Sequence, residues 1–306
     1  MVVLSLFDGM SCGQIALERA GIKVDKYYAS EIKSYAIKVT QHNYPNTIQV
    51  GDVTKLAACD LPKIDLLIGG SPCQDFSNAN KDRLGLAGVK SSLFFEFVRL
   101  LIDCKPKYFL LENVAMTIQD NNFISELLGV LPVRINSNLL SGQNRDRFYW
   151  TNIPGMGIDL FGTYITQPSD KNIKMQSIVD GYYPYEKSRA LMARDGYSWS
   201  KGMQPVKIFH RFYAKGFGNV VFKSEQHFLD CKEDYDAKYD GIATNIDISK
   251  ASDVYKGIRM INRRECERLQ TVPEGYTDCV KESDAINLLG DGWTVDVIAH
   301  IFKGLK

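Results

Sequence analysis

Val2-Val3-Leu4-Ser5-Leu6-Phe7-Asp8-Gly9-Met10-Ser11-Cys12-Gly13 decides the fold class of this chain. A short apolar run meets an acid and a glycine. A second glycine then opens residues 13–21, where Ile15, Leu17 and Ala20 supply apolar positions. Strand, glycine turn and helix in that order begin a parallel α/β layer, and glycines in the turn let a ligand approach the backbone. The alternation continues outward. Residues 26–30 read as a strand, 33–43 as a helix and 47–50 as a strand. Ile64-Asp65-Leu66-Leu67-Ile68 is a strand that stops at Gly69-Gly70. Residues 93–104 are a strongly apolar helix, and Tyr108-Phe109-Leu110-Leu111 is a strand that stops at Glu112. Strands separated by helices imply a parallel sheet covered on both faces. The expected fold is α/β, a doubly wound, mostly parallel sheet over residues 1–154.

After Trp150 the rhythm breaks. Residues 155–257 are rich in Gly, Tyr, Lys and Asp and show scattered short strands with no long periodic helix. They are expected to form a second, smaller, irregular domain. Helical signals return in 263–270 and 293–306, where Val295, Val297, Ile298, Ile301 and Phe302 make a broad apolar face. Residues 258–306 are therefore expected to return to the first sheet.

Bulk composition narrows the function classes. With 306 residues, 45% of them hydrophobic and 24% charged, the chain has the profile of a soluble globular protein that needs no staple. No apolar run approaches the ~18 residues of a membrane span. The first residues lack a basic segment and meet Asp8 at once, so they read as a buried strand, not a secretory signal. The expectation is a cytoplasmic protein, monomeric by default. The 7 cysteines include no Cys-x-x-Cys and the 4 histidines no pair at helical spacing, so neither a disulfide framework nor a metal is expected. The net charge of +1 is uninformative, but its distribution is not. Residues 200–223 carry Lys201, Lys207, Arg211, Lys215 and Lys223 and no acid, interleaved with Phe209, Phe212, Tyr213 and Phe217. Such a stretch suits nucleic acid, or else is a solvated basic face over a small aromatic core.

The chemistry-bearing residues fall at strand ends, where α/β sheets bind ligands. Glu31, closing the second strand, stands where a ribose-binding acid belongs. Asp52, in Gly51-Asp52-Val53 after the third strand, adds a second acid. The turn departs from Gly-x-Gly-x-x-Gly, so two acids without a cation suit a ligand with hydroxyls and an amine better than a diphosphate. Gly69-Gly70-Ser71-Pro72-Cys73-Gln74-Asp75-Phe76-Ser77 follows the fourth strand. Pro72 pushes Ser71 toward an extended conformation, and Cys73, flanked by polar residues, Gly and Pro, is placed as a nucleophile. The other six cysteines read as small buried apolar residues. Glu112-Asn113-Val114 puts a carboxylate at the neighbouring strand end, unless it is a capping or solvated Glu. In Gln143-Asn144-Arg145-Asp146-Arg147, alternation along a strand gives Arg145 and Arg147 one face, suited to a phosphate or polarised carbonyl. The alternative is a surface pair bridged by Asp146. Gly85-Leu86-Ala87-Gly88-Val89-Lys90-Ser91 imitates a phosphate loop, but Val89 stands where glycine is needed and no strand precedes it. Residues 78–92 read instead as a mobile loop beside Cys73.

Pro72-Cys73-Gln74, Glu112-Asn113-Val114 and Gln143-x-Arg145-x-Arg147, in that order on an α/β sheet, resemble the cytosine-5 DNA methyltransferase family. Arg259-Met260-Ile261-Asn262-Arg263-Arg264-Glu265, with Leu269-Gln270 and Pro273, resembles the family's later motif. Leu6-Phe7-Asp8-Gly9, Leu93-Phe94-Phe95-Glu96-Phe97 and Leu288-Leu289-Gly290-Asp291-Gly292-Trp293 are most similar to the animal de novo enzymes, without their chromatin-reading domains. Outside 155–257 the resemblance covers nearly the whole chain.

The resemblance implies methyl transfer from S-adenosylmethionine to carbon 5 of a cytosine flipped out of double-stranded DNA. Cys73 would add to C6, Glu112 would meet the N3/N4 edge, and Arg145 with Arg147 would hold the O2 side. It assigns the cofactor to Phe7, Asp8, Gly9, Met10, Ser11, Glu31, Asp52, Val53, Pro72, Asp291, Gly292 and Trp293. Phe7 would stack on the adenine, Glu31 would bond the ribose and Asp52 the amine. DNA contacts are expected from Ser77, Lys81 and Arg83 beside Cys73, and from Lys207, Arg211 and Lys215 in a target-recognition domain. A bacterial or phage modification enzyme is the implied setting. Two rivals stand beside this reading. One is a transfer-RNA methyltransferase, whose Pro-Cys-Gln-Pro-Phe-Thr differs from residues 72–77 here. The other is an inactive DNA-binding accessory protein, against which the presence of both Cys73 and Glu112 argues.

Overall fold

The computed structural model describes residues 1–71, 92–160, 162–193, 202–239 and 246–306. The chain divides into two compact units. The first comprises Met1–Asn136, Asp146–Ser169 and Trp293–Lys306, and the second Ser137–Arg145 and Asp170–Gly292.

The first unit is built on a seven-stranded sheet. Its strands are β1 (Val2–Leu6), β2 (Lys26–Ser30), β3 (Ile48–Gln49), β4 (Leu66–Gly70), β5 (Tyr108–Val114), β6 (Val133–Asn136) and, after the two-residue β7 (Gln143–Asn144) of the second unit, β8 (Asp146–Thr151). The spatial order is β3-β2-β1-β4-β5-β8-β6. Pairing is parallel from β3 to β5, and β8 runs antiparallel to both β5 and β6. The expected doubly wound, mostly parallel sheet is present.

Alternation along the strands distributes the apolar side chains to two faces. Leu4, Leu6, Leu67, Phe109, Leu111 and Trp150 point to one face. There they meet Phe94, Phe97, Val98 and Leu100 of α3 (Ser92–Cys104) and Ile124 and Leu128 of α4 (Ile118–Leu128). The spacing of the α3 residues follows the helical period, which is why this stretch is helical and why it lies on the sheet. Thr117 caps α4 by accepting from Asp120 N at 3.1 Å. On the opposite face Ile68 reaches α1 (Cys12–Ala20), where a Cβ on Gly13 would lie 2.5 Å from Ile68 Cδ1. α9 (Val295–Phe302) packs on α1, with Arg19 bridging to Asp296 at 2.6 Å. Its five expected apolar residues are all buried. The last strand partner of β1, β2, is followed by α2 (Ser34–Asn43).

The second unit departs from expectation in two ways. Residues 155–257 were expected to lack a long helix, yet α6 (Glu225–Lys238) is the longest helix among the described residues, at 14 residues. Only Phe228, Cys231 and Tyr235 are buried on it, so its apolar stripe is one residue wide and the surrounding charges hide the period. The unit's core is instead aromatic. Phe209 and Phe212 of α5 (Pro205–Tyr213) are fully buried among Phe222, Phe228, Tyr235, Tyr183 and Tyr255.

Unit boundaries also differ from 1–154, 155–257 and 258–306. Residues 155–169 stay with the first unit, through a hairpin of 157–159 with 162–164 and a hydrogen bond from His300 Nε2 to Thr166 O at 2.7 Å. Residues 258–292 belong to the second. Gln143 donates to Leu269 O at 2.7 Å, Arg268 to Ile178 O at 2.9 Å and Arg259 to Asp180 O at 2.6 Å. α7 (Arg263–Leu269) and α8 (Glu282–Asp291) are therefore part of that unit, and the chain rejoins the sheet only at Trp293.

Phe97 is fully buried and its ring crowds Gly69 on β4, 3.1 Å from where a Cβ would stand. Phe97→Ala is expected to cost about 3–5 kcal/mol, from the lost transfer energy and the cavity left behind. Urea unfolding should show a lower midpoint with an unchanged slope; an unmoved midpoint would mean that α3 does not anchor this face.

Candidate active site

Parallel β1, β4 and β5 end side by side, so the residues just past their C-termini converge. β1 passes into its turn through two left-handed residues that are not glycine, Phe7 at φ 55° and Ser11 at φ 60°, on either side of Gly9 at φ 61°. Non-glycine residues rarely hold such angles, and where they do the surroundings enforce them. Here Asp8 is the fastener. Its carboxylate accepts from Tyr27 Oη at 2.8 Å and from Ser11 Oγ. Ser11 Oγ also lies 3.1 Å from Thr40 Oγ1. Burial pushes the Asp8 carboxyl above its ordinary value, against the pull of those bonds. Met10 and Ser11 are buried as whole residues, main chain included.

Glu31 is tied to the same turn. Oε2 accepts from Gly9 N at 2.8 Å, and Oε1 from Ile32 N and Lys33 N at 2.7 and 2.9 Å. A carboxylate oxygen can accept two bonds, so Oε2 keeps an acceptor site. A Cβ on Gly9 would have no atom within 4 Å, so the space over this turn is open. Asp52 caps a short 3-10 helix: Oδ1 accepts from Thr54 N and Thr54 Oγ1 at 3.0 and 2.9 Å. Those bonds hold its carboxyl below the ordinary range. Val53 is instead a core residue, 5% exposed and packed in the cluster under α3.

β4 and β5 carry the second half of the site. Ser71, buried just past Gly70, accepts from Asn113 Nδ2 at 3.2 Å. Pro72, Cys73, Ser77, Lys81 and Arg83 lie outside the described residues. Glu112 is 8% exposed and both its oxygens are engaged. Arg147 Nε lies 3.0 Å from Oε1, and Trp293 Nε1 donates to Oε2 at 3.2 Å. The antiparallel register explains the first contact. Glu112 faces Tyr149 and Val114 faces Arg147, so Glu112 and Arg147 are diagonal neighbours on one face, within reach of a long side chain. Removing one partner of a pair buried this deeply typically costs about 3–5 kcal/mol.

Arg145 and Arg147 do not lie in one continuous strand. The chain breaks at Arg145, between β7 and β8, and the two arginines fall in different units. Arg145 is buried and donates to Leu191 O at 2.9 Å, Gly290 O at 3.2 Å and Gly292 O at 2.8 Å, all within the second unit. The single strand expected to carry both arginines is thus interrupted, and alternation holds only within an unbroken strand. Asp291 and Gly292 close α8 in the second unit, whereas Trp293 belongs with the sheet. Lys207 and Arg211 lie one turn apart on α5, and Lys215 follows its end. The tie between Glu112 and Trp293 was not foreseen; the doubled Gly69-Gly70 was the one signal of a close approach there.

These features define a class. Among solved structures, the fold is similar to the Entamoeba histolytica methyltransferase EhMeth, with a TM-score of 0.69 and 14% identity over 100% of this chain and 99% of that one. A likeness at that identity shows the fold alone. The sequence model for C-5 cytosine-specific DNA methylases matches residues 1–130 and 141–306, and the chain belongs to that family. Two curated relatives extend over most of it. The type II methyltransferase M.NlaX of Neisseria lactamica is 29% identical over 99% of this chain and 96% of its own length. M1.ScrFI of Lactococcus lactis subsp. cremoris is 28% identical over 98% of this chain and 76% of its own length. The chain is accordingly a DNA cytosine-5 methyltransferase. Among the described residues no helix is long and apolar enough to cross a membrane, and no group of three or more His, Cys, Asp and Glu could hold a metal.

A carboxyl whose folded value is raised makes the folded state bind the proton more tightly than the unfolded chain does. For Asp8 this stability is present below about pH 4 and is lost as pH rises through the folded value. Asp8→Asn keeps an acceptor for Tyr27 without the buried charge. Its melting temperature at pH 7 should exceed that of wild type by a few degrees, and the gap should close toward pH 4. Calorimetry across that range is the check; a variant less stable at pH 7 would show that the bonds outweigh the burial.

Proposed function

We propose that this chain methylates carbon 5 of a cytosine flipped out of double-stranded DNA, with S-adenosylmethionine as donor and Cys73 as nucleophile. The observation that carries the reading is the buried Glu112 carboxylate at the end of β5, beside the strand β4 whose continuation leads to Cys73.

The residues around the β1 turn fit the cofactor. Glu31 Oε2 offers an acceptor for a ribose hydroxyl beside open space at Gly9. Thr54 gives both its bonds to Asp52 Oδ1, so Oδ2 can take an amine. Phe7, held at an unusual angle, suits an aromatic face. The bound cofactor supplies an electrophilic methyl group. Everything else falls to the chain. Carbon 5 of cytosine is a poor nucleophile until a thiolate adds to C6, which turns the ring into an enamine. The Cys73 thiolate forms that C6–S bond while Glu112 meets the N3/N4 edge and favours the addition. Carbon 5 takes the methyl, a base removes the C5 proton, and the electron pair expels Cys73. Arg147, already on Glu112, is better placed than Arg145 to orient this carboxylate and the O2 side of the base. Arg145, committed to carbonyls, steadies the end of α8. Flipping costs a few kcal/mol, which contacts elsewhere must supply.

The second unit would choose the DNA sequence. Lys207 and Arg211 present one helix face over an aromatic core, with Lys215 beyond. Ser77, Lys81 and Arg83 would meet DNA near Cys73. The names of the relatives support a role in DNA modification; the setting that goes with it is the cytoplasm of a bacterial or phage-infected cell, with the protein acting as a monomer.

DNA bearing 5-fluorocytosine at the target cannot lose its C5 substituent as a proton, so a covalent enzyme–DNA adduct should persist on a denaturing gel. It should be absent in Cys73→Ala, which also abolishes methylation. No shifted band from an active enzyme refutes the covalent route. If Lys207 meets a phosphate, Lys207→Ala should weaken DNA binding uniformly across sequences and lower the salt dependence by about one charge. An unchanged salt slope removes Lys207 from the interface.

A further inference from the structure

Trp293 is the residue at which the chain rejoins the sheet, and its indole lies in a slot made by two absent side chains. A Cβ on Gly70 would stand 2.9 Å from Trp293 Nε1 and 3.0 Å from Glu112 Oε2, and one on Gly13 would stand 3.7 Å from Trp293 Cζ3. The slot runs from α1 to the end of β4, and at its inner end the indole N–H reaches the Glu112 carboxylate. The indole N–H is a donor only, and the acceptor it meets here is the Glu112 carboxylate. Its bond to a carboxylate belongs to the stronger, charge-assisted kind.

From this geometry we infer that Trp293 is a positioning residue for Glu112. Its N–H holds Oε2 while Arg147 holds Oε1, so the carboxylate is clamped from two sides. Each oxygen keeps one further acceptor site for the cytosine edge. Two donors on different chain segments remove the carboxylate's rotational freedom before the base arrives, which is how preorganisation lowers a barrier. A tryptophan serving only as a wall for the cofactor would need no donor at this distance. Gly70 is then required because any side chain there would pry the indole from the carboxylate. The inference rests on the assignment of Glu112 to the cytosine N3/N4 edge.

Two measurements test it. The first needs neither DNA nor cofactor. In protein carrying isotope-labelled tryptophan, the indole N–H resonance of Trp293, assigned by its loss in Trp293→Phe, should move upfield in Glu112→Gln and in Gly70→Ala. The second is a single-turnover assay on unmethylated genomic DNA at saturating cofactor. Trp293→Phe keeps a ring but loses the donor. It should slow methyl transfer about tenfold, as expected for one charge-assisted hydrogen bond, while leaving DNA affinity within about twofold. Gly70→Ala should slow it in the same direction with tryptophan in place. A resonance unmoved by Glu112→Gln overturns the inference. So does a Trp293→Phe enzyme whose saturated rate matches wild type and whose only defect is cofactor affinity. A wild-type enzyme that makes no 5-methylcytosine would instead sink the reaction assigned to Glu112, and the resonance would still decide whether Trp293 holds it.

Discussion

A carboxylate that is almost wholly buried must be held by donors, and Glu112 is held by two that come from far along the chain. Arg147 arrives through the antiparallel strand β8, and Trp293 through the segment that re-enters the first unit. Burying that charge without both would leave an unpaired acceptor in a low-dielectric site, at a cost comparable to a large share of a domain's net stability. The reversed strand, the glycine pair ending β4 and the late return of the chain all serve this one requirement.

The β1 turn poses the same problem in another form. Asp8 fastens a backbone with two non-glycine residues in left-handed conformations, and Glu31 gathers three main-chain N–H groups of the turn and the following loop. Asp8 takes the hydroxyls of Ser11 and Tyr27, and Glu31 takes main-chain N–H groups, so both acids hold the turn in place. That is why acids sit there and why the turn stays open without a phosphate-binding glycine pattern.

The second unit reaches stability by a different route. Aromatic rings pack around Phe209, Phe222 edge to face and Tyr235 tilted, while buried Glu265 and Glu267 are bonded by Arg259 and Arg264 respectively and by nearby main-chain N–H groups. This lets charged helices such as α6 surround a small core. The basic stretch lies over the small aromatic core that was one of its two expected readings: Phe209 and Phe212 are core, and Lys207 and Arg211 lie on the helix outside it.

The amino-acid pattern alone determined the parallel sheet, the strand ends where Glu31, Asp52 and Glu112 stand, and the apolar faces of α3 and α9, because these depend on local period and on glycine and proline at fixed offsets. It could not tell that the strand is interrupted at Arg145. Alternation assumes an unbroken strand, and the break is imposed by β7 pairing with residues 188–189. It missed α6 because three buried residues leave too faint a period, and it returned 258–292 to the wrong unit because an amphipathic helix does not say which core it covers. Only the tertiary structure brought Trp293 and Arg147 onto Glu112. Contacts across 181 residues are set by strand register and chain reversal, and neither leaves a mark on the residues that meet.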